Sequence, residues 1–435
     1  MTSQSHATSL RRELGIPGAV ITGLGSILGT GVFVSIGIAA GIAGDSVILA
    51  IVVAALVAIC NGLSSAQLAA NHPVSGGTYE YGNRWLTPSL GFLAGWTFLW
   101  AKSASAATAA LGFSGYLLQL CGVESTVFLV PLSLAGISIL TLIVLRGIRR
   151  SAQANAIIVG TTLLSLGVFI LAGMLSGGAR ELTWQEIMPS SGSASSFAQA
   201  VGLMFVAYTG YGRIATLGEE VKSPRRTIPI AVIVTLGLSM LIYFGVALVS
   251  VQTIGAVGLA EVTVSGAAPL QTVSQAFSLP GISVLMSVGA ITAMLGVLLN
   301  LLLGLSRVLF AMGRRGDMPK DLASVSSKTG DPWIATLVMA LVISAIASLG
   351  SVKLAWSFSA FTVLIYYAIT NACALRLKKS ERLYPRIFPI IGLISCLFLS
   401  FWVDRYVWFI GLGIIVLGLI WHLLAQRLHS SVNNN

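Results

Sequence analysis

Apolar stretches of about twenty residues, separated by short polar segments, recur along the whole chain. They fall at 14–40, 46–70, 86–119, 125–145, 154–176, 197–218, 227–251, 279–312, 333–350, 354–377, 387–403 and 406–425. A helix of about twenty residues is roughly 30 Å long, the thickness of a bilayer's hydrocarbon core, and it satisfies its own backbone groups there. The pattern predicts an all-α integral membrane protein of about 12 transmembrane helices. The third and eighth stretches exceed that thickness, so they must tilt or project. No polar linker is long enough to divide the chain into soluble domains, and one membrane domain is expected. Residues 1–13 are polar, and no short apolar core with a small-residue cleavage site marks them as a removable signal.

Composition agrees with this class: 56% of residues are hydrophobic and 9% charged, against roughly a quarter charged in a soluble domain. Lysines and arginines set the orientation. With the N-terminus cytoplasmic, outer loops hold Arg180, Lys353 and Arg405, the spans hold Lys102 and Arg213, and the rest of the 25 basic residues fall inside. A multi-pass protein of the cell inner or plasma membrane, with both termini cytoplasmic, follows. The net charge of +11 then faces an anionic leaflet, and no nucleic-acid partner is needed to explain it. Cys60, Cys121, Cys373 and Cys396 have neither CxxC spacing nor neighbouring histidines, so they read as small packing residues. No metal or cofactor site is expected.

Two spans carry too much glycine for their place. The first contains Gly23-Leu-Gly25-Ser26-Ile27-Leu28-Gly29-Thr30-Gly31. That string approaches a dinucleotide fingerprint, but no soluble βαβ unit surrounds it. Close helix packing is the plainer account. Against it, each glycine weakens a helix by roughly 1 kcal/mol, and a helix interrupted at mid-membrane would offer free N–H groups and a positive half-helix end to a carboxylate. Its last carbonyls would face an ammonium group. The sixth span repeats the anomaly in Ala207-Tyr208-Thr209-Gly210-Tyr211-Gly212. Two Gly-interrupted spans, five apart, point to an inverted-repeat carrier with its site at the bilayer centre.

The glycine run followed by Val32-Phe33 resembles the first-span signature of the amino acid–polyamine–organocation (APC) family of permeases. Pro73-Val-Ser75-Gly76-Gly77-Thr-Tyr79-Glu-Tyr81, leading to Gly91-Phe92 and Gly95-Trp96, is similar to that family's loop between spans two and three. Gly210 through Glu219-Glu220 to Pro224-Arg225-Arg226-Thr-Ile-Pro229 resembles its sixth span and the loop after it, and Ser306-Arg307 through Gly316-Asp-Met-Pro319 the end of its eighth. The landmarks run in order from residue 14 to about 330. The resemblance implies a LeuT-type fold, a 5+5 inverted repeat with discontinuous helices 1 and 6. Residues 14–377 would form the transport core, 387–425 spans 11 and 12, 1–13 a cytoplasmic N-terminal segment and 426–435 a cytoplasmic tail. Carried over by motif, Gly29, Thr30 and Gly31 would meet a substrate carboxylate with their N–H groups. Carbonyls near Ile27, Val206 and Thr209 would meet its amino group, with Gly210 in the break and Tyr208 and Tyr211 as lids.

Relatives that carry cationic amino acids resemble the chain along Ala106-Ala107-Thr108 to Gly115-Tyr116-Leu117. They place acids where Ala101 and Gly212 align, and each site here has a neighbouring cation instead, Lys102 and Arg213. Where some relatives place a lysine in span five, this chain aligns Thr162. No Asp, Glu or His falls well inside a predicted span. Lys102 could be a fixed charge held by carbonyls, or the group that couples transport to a proton, because burial disfavours a lysine's charged form. Arg213 stays charged and could pair with Glu219 or Glu220, as a solvated bridge or part of an inner gate. A sodium site would want oxygen ligands in span eight, where Thr292 to Ser306 offers only Asn300.

The expectation is a secondary carrier of amino acids or related small zwitterions, working by alternating access with protons as the coupling ion. An exchanger or facilitator on the same fold is the alternative. A membrane enzyme lacks a reactive constellation at depth, a channel lacks a ring of like residues, and no phosphate-binding loop supports ATP-driven pumping.

Overall fold

A computed structural model describes residues 14–73, 76–123, 125–147, 152–176, 180–190, 192–215, 221–277, 279–326 and 330–433. The first apolar stretch is interrupted. Helix α1 (Ile16–Ile27), opened by Pro17, stops where Leu28 swings to ψ 101°. The chain resumes in a wide π turn, Gly31–Ser35, and continues as α2 (Ile36–Ala43). Gly44 at φ 61°, a left-handed value that glycine adopts without strain, turns it into α3 (Val47–Asn71). A short helix, α4 (Thr78–Trp85), precedes α5 (Pro88–Leu120), which starts at a proline and is capped by the Thr87 hydroxyl. Then come α6 (Leu129–Leu145), α7 (Ala152–Leu175) and the one-turn α8 (Trp184–Ile187).

The sixth stretch forms α9 (Ala194–Tyr208), tightens into a 3-10 turn over Thr209–Tyr211, and continues as α10 (Gly212–Ala215). Glu219 and Glu220, the acidic pair expected to partner Arg213, lie outside the described residues. Helix α11 (Pro224–Gly266) outruns the predicted 227–251, because Gly255 at φ 72° bends the chain and a second apolar segment follows. The short α12 (Pro269–Gln275) leads to α13 (Ile282–Arg315), ended by Gly316 at φ 84°. The last elements are α14 (Trp333–Ala347), α15 (Val352–Leu375), α16 (Ile387–Phe401) and α17 (Arg405–Asn433).

Seven helical stretches among the described residues are long and apolar enough to cross a membrane: Gly31–Asn71, Thr126–Leu145, Gln153–Leu175, Pro224–Gly266, Ile282–Arg315, Val352–Leu375 and Arg405–Arg427. The 33-residue α5 is not one of these. It is rich in Ala, Ser and Gly and buried continuously from Ala101 to Tyr116, so it packs on protein and has no need of a lipid-facing surface. It lies at the centre of the bundle, chiefly against α13 and α15, while α3 packs on α11. The periphery shows the opposite pattern, with Leu142, Ile157, Leu171, Phe398 and Leu417 exposed. This is the apolar outer surface of an integral membrane protein. Buried polar groups pair across helices in places: the Asn371 amide donates to Asn61 Oδ1 at 2.6 Å, and the Cys396 thiol to the same oxygen at 3.3 Å, tying α15 and α16 to α3.

Candidate functional site

The two interrupted stretches touch at their interruptions, and glycine makes the approach possible. A Cβ on Gly31 would stand 2.8 Å from Ala207 Cβ and 2.6 Å from the Tyr243 hydroxyl. A Cβ on Gly210 would meet the Ser26 carbonyl and, at 2.7 Å, Ile27 Cγ1. Tyr243, from α11, clasps the junction, its hydroxyl donating to Ile27 O at 2.9 Å and Ala207 O at 3.2 Å. Around the break the backbone bonds run from Leu28 N to Leu24 O and from Val32 and Phe33 N to Gly29 O, so the α-helical ladder lapses there, and among the described residues Gly29 N donates to no backbone carbonyl. The buried Thr30 hydroxyl also lacks a partner. Unsatisfied donors at a helix start attract an anion.

The junction forms the floor of a cavity of about 200 Å³. Ser26, Ile27, Thr30 and Gly31 line it from the first stretch, and Val206, Ala207, Thr209, Gly210, Gly212 and Arg213 from the sixth. Lys102 and Ser105 of α5, Asn300 of α13, and Trp356, Tyr366 and Tyr367 of α15 complete the deeper walls. It widens toward the bundle end that carries Gly77, Thr78 and the exposed Arg307. The other end is sealed. Phe33 and Tyr116 pack edge to face at 5.9 Å, the Tyr116 hydroxyl donates to Phe33 O at 2.9 Å, and Leu270 N of α12 donates to that hydroxyl at 3.2 Å.

Lys102 is 8% exposed, and its Nζ donates to Thr209 Oγ1 at 2.8 Å. Thr209 passes its own hydroxyl proton to Val206 O at 2.7 Å, and Tyr367 donates to Thr209 O at 3.2 Å. The charge of α5 is thus held against the 3-10 turn of the sixth stretch by a hydroxyl, where the sequence suggested carbonyls.

At the open end, α4 is fastened on both sides. Thr78 N donates to the Tyr366 hydroxyl at 3.2 Å, and the Thr78 and Thr370 hydroxyls are 2.7 Å apart. Tyr79 donates to Asp317 Oδ2 at 2.6 Å, Arg315 meets Glu80 at 3.2 Å, and His422 Nδ1 of α17 lies 3.4 Å from Asp317 Oδ1. Burial, reinforced by the Asp317 carboxylate, pushes the Tyr79 phenol well up, so it remains a donor.

Of the residues singled out from sequence, Ile27, Thr30, Gly31, Val206, Thr209, Gly210, Lys102 and Arg213 share this cavity. Gly29 sits behind the break, against Val297 of α13. Tyr208 and Tyr211, expected as lids, line no part of it. Tyr208 donates to Ile51 O at 3.2 Å, and Tyr211 packs on Tyr367 with ring centroids 5.4 Å apart. Thr162 is buried on α7 and donates to Ile158 O of its own helix. Sequence reasoning passed over Tyr243, Trp356, Tyr366 and Tyr367. They are aromatics in apolar runs, Tyr243 beside Phe244 and Tyr366 beside Tyr367, a pattern that helix packing explains equally well.

The amino acid permease family model matches residues 18–432. An uncharacterised transporter of Mycobacterium tuberculosis is 41% identical across 90% of this chain and 86% of its own length. The branched-chain amino acid permease of Bacillus subtilis is 28% identical across 100% of this chain and 97% of its own. The methylthioribose transporter of the same organism is 27% identical over the same shares.

Proposed function

The chain belongs to the amino acid permease family, and from that premise we propose that it is a secondary carrier of amino acids or related small zwitterions, driven by protons and working by alternating access. One observation carries this reading. A helix broken at mid-bundle presents Thr30, whose buried hydroxyl has no partner, and Gly31 at a buried cavity. A buried donor without an acceptor costs about 1–3 kcal/mol, and a carboxylate supplies what it lacks. Of the carbonyls proposed for the amino group, Val206 O already accepts from both the hydroxyl and the N–H of Thr209, and Thr209 O from Tyr367 and Gly212 N, while Ile27 O accepts from the Tyr243 hydroxyl. A carbonyl has two lone pairs, so Ile27 O is the acceptor of the three best placed to take an ammonium donor.

The same reading places about 12 transmembrane spans as two inverted five-span repeats with two added helices, both termini in the cytoplasm, and residues 14–377 as the transport core. The interruptions at Leu28–Thr30 and Thr209–Tyr211, in corresponding positions of the two halves, support the repeat. With that orientation the cavity opens to the cytoplasm and the Phe33–Tyr116–Leu270 seal faces outward.

Lys102 is the coupling residue in this scheme. It sits at the cavity wall and touches the sixth-stretch turn through Thr209, so a change in its charge acts where substrate and helix meet. Uptake of radiolabelled amino acids into proteoliposomes under an inward proton gradient tests this. Wild type accumulates substrate, and Lys102→Met shows at most downhill movement. Concentrative uptake by the mutant would make Lys102 a fixed structural charge. Counterflow with no dependence on the proton gradient in wild type would establish an exchanger instead.

A further inference from the structure

Three N–H donors on one buried ammonium need more than Lys102 is given. Its Nζ makes one hydrogen bond, to the Thr209 hydroxyl. Among the described residues no carboxylate stands within ion-pair distance of it. The cavity it lines carries two further cations, Arg213 and Arg307, and no described residue of its wall is acidic. An ammonium in a low-dielectric setting without a counter-charge is strongly disfavoured. It must lose its proton or receive an anion, and the described residues of the wall supply none.

We propose that the cargo supplies the anion: the substrate is an amino acid with a second acidic group on its side chain. This rests on the amino-acid reading above and narrows it. The α-carboxylate takes the amides at the first-stretch break, and the side-chain acid takes the Nζ of Lys102. One turn further along α5, Ser105 faces the same cavity and pairs with Ser359 at 2.8 Å. That hydroxyl pair adds a neutral donor beside the charge, which suits a carboxylate with two oxygens to satisfy. A cationic side chain would instead meet like charge at close range.

The test compares each acid with its amide, which matches it in shape and lacks the charge. Purified wild type, Lys102→Met and Lys102→Arg are titrated with L-glutamate, L-glutamine, L-aspartate and L-asparagine, and affinity is read from ligand-dependent melting. In wild type at least one acid binds roughly tenfold or more tighter than its amide, since a site built for a charged partner discriminates strongly against a neutral isostere. Lys102→Met abolishes that preference, and Lys102→Arg retains it. The melting temperature without ligand shows whether each variant folds. If Lys102→Met does not, the wild-type acid-to-amide ratio and the arginine variant decide the matter. Equal or tighter binding of the amides, or of apolar amino acids, by wild type overturns the acidic substrate and leaves the amino-acid carrier standing. Stabilisation by none of the twenty amino acids overturns both.

Discussion

Gly31→Ala adds one methyl group at the point where the interrupted helices cross. Its Cβ would lie 2.6 Å from the Tyr243 hydroxyl, 2.8 Å from Ala207 Cβ and 3.1 Å from Ala207 Cα. Ordinary contact needs about 3.4 Å or more, so the neighbours must retreat by several tenths of an ångström. Ala207 cannot rotate away, because its Cβ is fixed to backbone. Tyr243 can move only by giving up its bonds to Ile27 O and Ala207 O. Overpacking of this kind costs about 1–3 kcal/mol, and a lost hydrogen bond adds about 1. Better helix propensity returns about 1. A net loss of about 1–3 kcal/mol is expected, which corresponds to a factor of about 5–160 in the population of the correctly crossed state. Uptake per molecule in the membrane, together with the melting temperature of purified protein, measures it. Gly237→Ala is the control, since a Cβ there meets nothing within 4 Å. Removing the hydroxyl with Tyr243→Phe should make the alanine less damaging, giving a non-additive double-mutant cycle. Wild-type uptake and melting in Gly31→Ala would refute the idea that this crossing forms the site.

Neutral and acidic amino acids should compete for uptake better than arginine or lysine, because Lys102 and Arg213 line the cavity; preferential transport of arginine or lysine would overturn the alignment of Ala101 and Gly212 with the acids of cationic carriers. Tyr79→Phe removes a 2.6 Å bond to the Asp317 carboxylate, a type worth about 1.5–3 kcal/mol, so the melting temperature should fall, and limited proteolysis should cut first near α4. An unchanged melting curve would show that Glu80–Arg315 and the Thr78 bonds hold α4 without it.

Hydrophobic periodicity located helices where lipid or a continuous apolar core demands a long apolar run. The stretch 46–70 is α3, Val47–Asn71, and 86–119 is α5, Pro88–Leu120. It failed where a buried segment is short or bent. Helix α12 seals one end of the cavity with seven residues, too few to register against a bilayer-length window. The bend at Gly255 is invisible because one glycine in an apolar run equally suits a straight helix packed closely on a neighbour. The glycine-rich strings did mark the junction, since a close backbone crossing permits little else. The faces of Tyr208 and Tyr211 were beyond reach. The 3-10 turn at Thr209–Tyr211 changes the angle per residue, so Tyr211 ends up on Tyr367, while Tyr208, the last residue of α9, faces Ile51 of α3.

On the alternating-access reading, the energetics of the sealed end set what substrate must accomplish. Opening it requires Tyr116 to release Phe33 O and to lose the N–H of Leu270, two bonds worth about 1 kcal/mol each, plus an aromatic contact of about 0.5–1.5. Arg180, which meets both Asp45 and Glu186 at the same end, adds little, because exposed ion pairs contribute about 0–1 kcal/mol. A seal of a few kcal/mol lies within what differential ligand binding can overcome. It is also large enough to hold the empty carrier in one state. Lys102 lies on α5 between the seal and the cavity's open end, so a change in its charge can tip an equilibrium of that size. Lys102→Met should shift the resting population between the two states even without substrate, as read by accessibility labelling of a single cysteine placed at Thr78. Identical labelling in the mutant and its Lys102 parent would separate the lysine from the conformational change and confine it to binding.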